Sequence, residues 1–117
     1  MKQVSVVLSP EAEEAYKQLN ELAAESKIER SILNSIEKKK DLIKANPHYG
    51  EPIAKDKIPE EYKIKYGVTN LFWVGLSNFW RMLYTLTNDE TKIEIIAFVL
   101  DIMDHKNYNK KFGYKNS

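Results

Sequence analysis

The sequence predicts an α+β fold in which an N-terminal strand and a C-terminal three-strand meander form one four-stranded sheet with helices on one face. Three observations predict it. Val4, Val6 and Leu8 alternate with Gln3 and Ser5, the two-residue period of a strand. From Ala12 to Ile43 apolar residues recur three and four apart, as on the buried stripe of a helix. After Asn70 the composition turns aromatic and β-branched, in runs divided by short polar turns.

The first strand stops at Ser9-Pro10. There Ser9 is suited to cap a helix, Pro10 to take its first position, and Glu11, Glu13 and Glu14 to face its positive end. Ala12, Ala15, Tyr16, Leu19, Leu22 and Ala23 give that helix one apolar stripe, which needs a sheet to cover. Ser26-Lys27-Ile28-Glu29 has the Ser-x-x-Glu form of a capping box and starts a second helix, with Ile28, Ile32, Leu33, Ile36 and Ile43 inward. That helix ends before Asn46-Pro47. Residues 47–70 hold three prolines and two glycines and read as a long structured loop with one helical turn near Glu60. A loop of that length in a small domain suggests a task.

The meander comprises Leu71–Leu76, Phe79–Leu86 and Ile93–Ile102, joined at Ser77-Asn78 and at Thr87-Asn88-Asp89-Glu90. The last run is apolar on both faces, as in a central strand. The economical topology sets the first strand beside the last and parallel to it, after a right-handed helical crossover. The opposite sheet face is then open to a partner or substrate, and the chain closes with a short tail or helix.

At 117 residues, 43% hydrophobic and 30% charged, the chain suits a single domain over residues 1–117. No apolar run reaches the roughly 18 residues of a membrane span, and the first apolar stretch is too short for a signal peptide. A cytoplasmic protein without a membrane partner is expected. The absence of cysteine excludes disulfides, thiolate nucleophiles and zinc sites built on Cys. A net charge of +1 says little, but Lys106, Lys110, Lys111 and Lys115 make a basic tail. Such a tail is either a solvated end or a surface for a polyanion.

Arg81 lies inside an apolar strand, on the face of Phe79, Leu83 and Thr85, where a charge is costly without a purpose. Either a carboxylate or a rim position satisfies it, or its planar fork holds a phosphate across the open face. Asp104-His105-Lys106-Asn107-Tyr108 directly follows the strand expected beside that of Arg81. His105 is suited to take and give a proton near neutral pH, or to serve as a capping or surface group. Tyr108 either anchors the tail in the core with Phe112 and Tyr114, or stays exposed among lysines and stacks an RNA base. Trp73 and Trp80 read as core. A metal site from Asp101, Asp104, His105 and His48 lacks the repeated acidic or His-x-x-x-His spacing of dedicated sites, so neither metal nor cofactor is expected. No Gly-rich phosphate loop or nucleophile elbow is present.

The order strand, helical hairpin, loop, meander and basic tail, with three phrases, resembles the RelE/ParE superfamily of toxins from type II toxin-antitoxin systems. The phrases are Ile58-Pro59-Glu60-Glu61-Tyr62, Phe79-Trp80-Arg81-Met82-Leu83-Tyr84-Thr85 and Asp104-His105-Lys106-Asn107-Tyr108. The resemblance covers nearly the whole chain and implies a RelE-like fold. It further implies a ribosome-dependent endoribonuclease, an mRNA interferase that stops translation and is inhibited by a cognate antitoxin protein wrapped around it. Its partners would be mRNA and the ribosome. The ParE branch implies DNA gyrase as the alternative target, and a non-catalytic relative would serve as a protein-interaction module.

By the same resemblance Arg81 holds the scissile phosphate, His105 is an acid or base, and Lys106 and Tyr108 match the family's basic residue and C-terminal tyrosine. Lys55 and Lys57 match RNA-backbone lysines, with Lys110 and Lys111 extending the RNA-binding surface. The implied chemistry is metal-free attack of a ribose 2′-hydroxyl on the neighbouring phosphate, leaving a cyclic phosphate and a 5′-hydroxyl. It needs a base, an acid and cations at the developing charge. His105 with Tyr108 would supply the first two, and Arg81 with Lys106 the third. Many ribosome-dependent members are strongly basic, whereas here 18 Lys and Arg face 17 Asp and Glu.

Overall fold

Ser9 ends the first strand, β1 (Gln3–Leu8), and starts the first helix, α1 (Pro10–Ala23). Its buried hydroxyl accepts the Ala12 N–H at 3.0 Å and donates to the Leu100 carbonyl at 2.6 Å. The computed structural model describes residues 3–89 and 94–113; Glu90, Ile93, Tyr114 and Lys115 of the sequence expectations lie outside them. The second helix, α2 (Lys27–Ala45), returns along α1 with Ile32, Ile36 and Ile43 buried. Two expectations for this hairpin are corrected. Ser26 makes no side-chain cap bond, so the capping box does not form, and Glu29 Oε2 is buried without a hydrogen-bond partner among the described residues. Leu22 and Ile28 are 56% and 55% exposed, because Ala23 takes the inward place at the end of α1 and the buried stripe of α2 begins only at Ile32.

After α2 come β2 (Glu51–Pro52), a 3-10 turn at Lys55–Lys57, and α3 (Glu60–Tyr66), the helix expected near Glu60. Gly67 ends α3 with a φ of 63°, the left-handed conformation glycine adopts without steric penalty. Then follow β3 (Phe72–Gly75), a turn at Ser77–Phe79, β4 (Arg81–Asp89), β5 (Glu94–Met103) and α4 (His105–Lys111). The sheet order is β1-β5-β4-β3-β2, with β1 parallel to β5 as the topology argument required and the other pairs antiparallel. The sheet therefore has five strands, not four. The extra strand pairs Glu51 with Trp73 at the sheet edge, where Pro52, lacking an N–H, is tolerated. Two residues are too few to leave a readable period.

Helices cover both faces, which corrects the expectation of an open one. On the first face α1 and α2 bring Leu19, Ile32 and Ile36 onto Met82, Tyr84, Ala97, Val99 and Ile102. On the second, α3 and α4 bring Tyr62 and Tyr108 onto Leu71, Leu83, Leu100 and Met103. A helical turn near Glu60 and a closing tail or helix are expected from the sequence, but not that they cover this face, because each helix has seven residues and buries a single tyrosine, too little for an apolar stripe. A register shift between Leu83 and Tyr84 marks a β-bulge on β5, which turns both Leu100 and Asp101 toward the second face. The bulge leaves the Leu100 carbonyl to the Ser9 hydroxyl.

Tyr84 ties the post-helix segment to the sheet. Its hydroxyl accepts the Gly50 N–H at 2.9 Å and donates to the Pro47 carbonyl at 2.8 Å. A Cβ at Gly50 would stand 2.9 Å from the Tyr84 ring, so this approach requires glycine. Among the described residues no helix is long and apolar enough to cross a membrane.

Candidate functional site

Arg81 opens β4 and pairs with Gly75 on one side and Met103 on the other. Trp73, two residues before Gly75, shares its face, and Tyr108 arrives from α4. The guanidinium carbon lies 4.1 Å from the Trp73 ring centroid and 4.3 Å from that of Tyr108. The ring centroids are 6.4 Å apart, so the cation sits between them. Each such contact contributes about 0.5–2 kcal/mol, depending on desolvation. Among the described residues no carboxylate pairs with Arg81. The aromatic clamp thus fixes a half-buried cation without neutralising it, and its N–H fork stays suited to an anion.

Tyr108 is 4% exposed and its ring stacks on Phe112 at a centroid distance of 4.5 Å. It is the core anchor of α4, and the alternative of an exposed, base-stacking tyrosine is corrected. The spacing Tyr108 to Phe112 is one helical step of four, which brings the rings together. Asp104 caps α4 by accepting the Asn107 N–H at 2.9 Å. His105 and Lys106, in the first turn, are exposed. Asn109 Nδ2 lies 3.1 Å from His105 Nε2, a contact that orients the imidazole within the first turns of α4.

Facing His105, at a ring-centroid distance of 6.5 Å, is Phe79. It is 82% exposed, and its backbone and that of Asn78 are left-handed, with φ of 63° and 58°. Asparagine tolerates that region, but a bulky aromatic side chain rarely enters it.

The expected RNA-binding lysines divide. Lys55 and Lys57 are exposed on a turn that Ile53 and Ile58 anchor to the same apolar cluster as Tyr108. Lys110 is exposed. Lys111 is not free for RNA, a correction: it pairs with Glu61, lies 3.5 Å from Asp101 Oδ2, and stands 4.8 Å over the Tyr62 ring. The Tyr62 hydroxyl donates to the same Asp101 oxygen at 2.5 Å, and burial, with the adjacent Asp101 charge, pushes its phenol well above the usual range.

Asp101 thus faces Tyr62 and Lys111 while Asp104 caps α4, and His48 packs edge-on against Phe72 at 5.7 Å. Among the described residues no three His, Asp or Glu side chains gather as metal ligands.

Comparison with known proteins finds no matching family model, no matching curated protein and no matching solved structure. The site therefore has to be read from its own geometry. That geometry adds two residues to those expected from the sequence. Trp73 read as core, and only the β3 to β4 register reveals it as half of the arginine clamp. Phe79 read as strand, and no sequence signal announces a left-handed phenylalanine.

Proposed function

We propose that this chain is a cytosolic RNA-cutting toxin of the RelE/ParE kind, an endoribonuclease acting on mRNA at the ribosome. The observation that carries the reading is Arg81, a cation held between Trp73 and Tyr108 with no carboxylate partner among the described residues. A charge drawn partly out of water is normally paired, so a half-buried one held between aromatic rings is suited to an anion that arrives from outside.

In the proposed reaction a ribose 2′-oxygen bonds to the adjacent phosphorus as the bond to the 5′-oxygen breaks. A 2′,3′-cyclic phosphate and a 5′-hydroxyl result. His105 takes the 2′ proton or returns one to the leaving oxygen, with the Tyr108 hydroxyl as the second proton-transfer group. Arg81 and Lys106 stabilise the extra negative charge, commonly the largest contribution to such a step. Lys55, Lys57 and Lys110 hold the RNA backbone. A cognate antitoxin belongs to the same reading, because a cell making such an enzyme must keep it silent.

The test is induced expression with mapping of mRNA 5′ ends. The wild-type chain arrests growth and cuts translated mRNA, whereas folded Arg81→Ala and His105→Ala variants do neither. Undiminished toxicity of folded Arg81→Ala overturns the reading. The near-balanced charge, 18 Lys and Arg against 17 Asp and Glu, favours one alternative, a non-catalytic relative acting as a protein-interaction module, since binding to rRNA is largely electrostatic. Induction without growth arrest would establish it, whereas gyrase-linked DNA breaks with intact mRNA would point to a gyrase poison.

A further inference from the structure

One face of α2 carries cations that the catalytic reading does not use. Lys27, Arg30, Asn34 and Lys38 follow one another at three- and four-residue steps, which stacks them along one side of the helix. With Ser31 and Ser77 they line a groove that contains no acidic side chain. All three cations are exposed, and among the described residues none is paired with a carboxylate. Their neighbours differ: Lys39 bonds the Tyr49 hydroxyl and Lys40 pairs with Glu37.

The groove runs into the turn that bears Phe79. Ser31 Oγ donates to Ser77 Oγ at 3.0 Å, and the Ser77 N–H donates to Ser35 Oγ at 3.1 Å, so α2 holds the start of that turn. The next two residues are the left-handed Asn78 and Phe79, and Arg81 follows two positions later. A strained backbone that drives an aromatic ring 82% into solvent opposes both conformational preference and burial. A ligand that covers the ring would offset both.

We infer that α2 and Phe79 form a track for single-stranded RNA, with phosphates along Lys27, Arg30 and Lys38 and one unstacked base on the Phe79 ring. The inference rests on the reading of the chain as an RNA-cutting protein and names the path its substrate takes toward Arg81. Single-stranded RNA fits better than duplex, since the bases of a duplex are already stacked and leave no face for the ring. Phosphate contacts position a strand, and an aromatic face accepts any base.

The test is binding of a fluorescein-labelled ten-nucleotide oligouridylate to the full chain over a range of salt concentrations, with cleavage followed in parallel. For single strands log K falls with log salt by about 0.7 per phosphate contacted. The triple variant Lys27→Gln/Arg30→Gln/Lys38→Gln should flatten that slope by about 2. Phe79→Ala should weaken binding about tenfold with an unchanged slope, and Phe79→Trp should restore it. A triple variant with the wild-type slope overturns the track, as does Phe79→Ala with wild-type affinity. Equal binding of a duplex of the same length overturns the assignment to single strands. If wild-type RNA cleavage persists while these variants bind normally, only the track fails. If the wild-type chain binds no RNA even at low salt, the functional reading fails with it.

Discussion

The Arg81 guanidinium carbon sits 4.3 Å from the centre of the Tyr108 ring, which reaches it from the helix that follows the neighbouring strand. Tyr108 therefore has two separable properties, a ring that packs and a hydroxyl that can transfer a proton. Tyr108→Ala removes a side chain that is 4% exposed and touches Phe112, and should lower stability by about 3–5 kcal/mol. Tyr108→Phe keeps the ring contacts and should cost much less stability in urea denaturation than Tyr108→Ala. If the hydroxyl moves a proton, Tyr108→Phe lowers kcat for a model RNA and leaves KM unchanged. Unchanged kcat would assign Tyr108 to positioning Arg81 alone.

Arg81→Lys tests whether charge alone suffices. Lysine keeps the positive charge but lacks the planar fork and stacks less well between Trp73 and Tyr108. Cleavage should fall about 100-fold or more, the size of effect seen when one preorganised donor at a developing charge is lost. Thermal melting should change little, because the aliphatic stem still covers the sheet. Cleavage at the wild-type rate would mean that a point charge is enough and that the clamp is structural.

A pH-dependent contribution resides at the outer edge of the second face. Lys65 pairs with Glu11 Oε1 and the Tyr66 hydroxyl donates to Oε2 at 2.6 Å, and these bonds, that of Lys65 first, hold the Glu11 carboxyl down at about 2. A carboxyl with a depressed folded pKa stabilises the fold above its unfolded value and loses that contribution as pH falls through the folded one. Glu11 is 35% exposed and Lys65 more so, so solvent screening keeps the contribution of this surface pair small. Glu11→Gln should thus be slightly less stable than wild type at pH 7. The gap in melting temperature should close as pH falls from about 5 toward 2, and a gap constant over that range would contradict the assignment.

What the sequence disclosed follows from the reach of each signal. The parallel pairing of β1 with β5, the helical hairpin and the neighbourhood of Arg81 and Tyr108 follow from periodicity and connection rules acting over whole elements. α3 and α4 bury one tyrosine each and β2 has two residues, so although the helical turn near Glu60 is expected, the covered second face and the fifth strand stayed hidden. The capture of Lys111 by Glu61 and Asp101 stayed hidden for a different reason. It depends on a β-bulge that turns Asp101 to the second face, and one inserted residue in a strand leaves no mark in an apolar run. Trp73 was legible as an aromatic strand residue, but its place over Arg81 depends on register, and the turn that sets it runs from Ser77 to Phe79, longer than the expected Ser77-Asn78.

Ser9 does two jobs with one hydroxyl: it accepts the Ala12 N–H at the start of α1 and donates to the Leu100 carbonyl released by the bulge. Losing a helix cap costs about 1 kcal/mol, and leaving a buried carbonyl without a donor costs about 1–3 kcal/mol more. Ser9→Ala should therefore destabilise the chain by roughly 2–4 kcal/mol, as measured by urea denaturation. Ser9→Thr retains donor and acceptor, and its penalty should come only from fitting one methyl group where Ser9 is fully buried. Ser9→Gly separates the two jobs, since glycine caps helices tolerably but donates nothing to Leu100. If Ser9→Gly proves nearly as stable as wild type, the carbonyl bond contributes little and the cap alone explains the serine. A loss close to that of Ser9→Ala places most of the energy in the bond across to β5, where the chain's second strand partner and its first helix are joined.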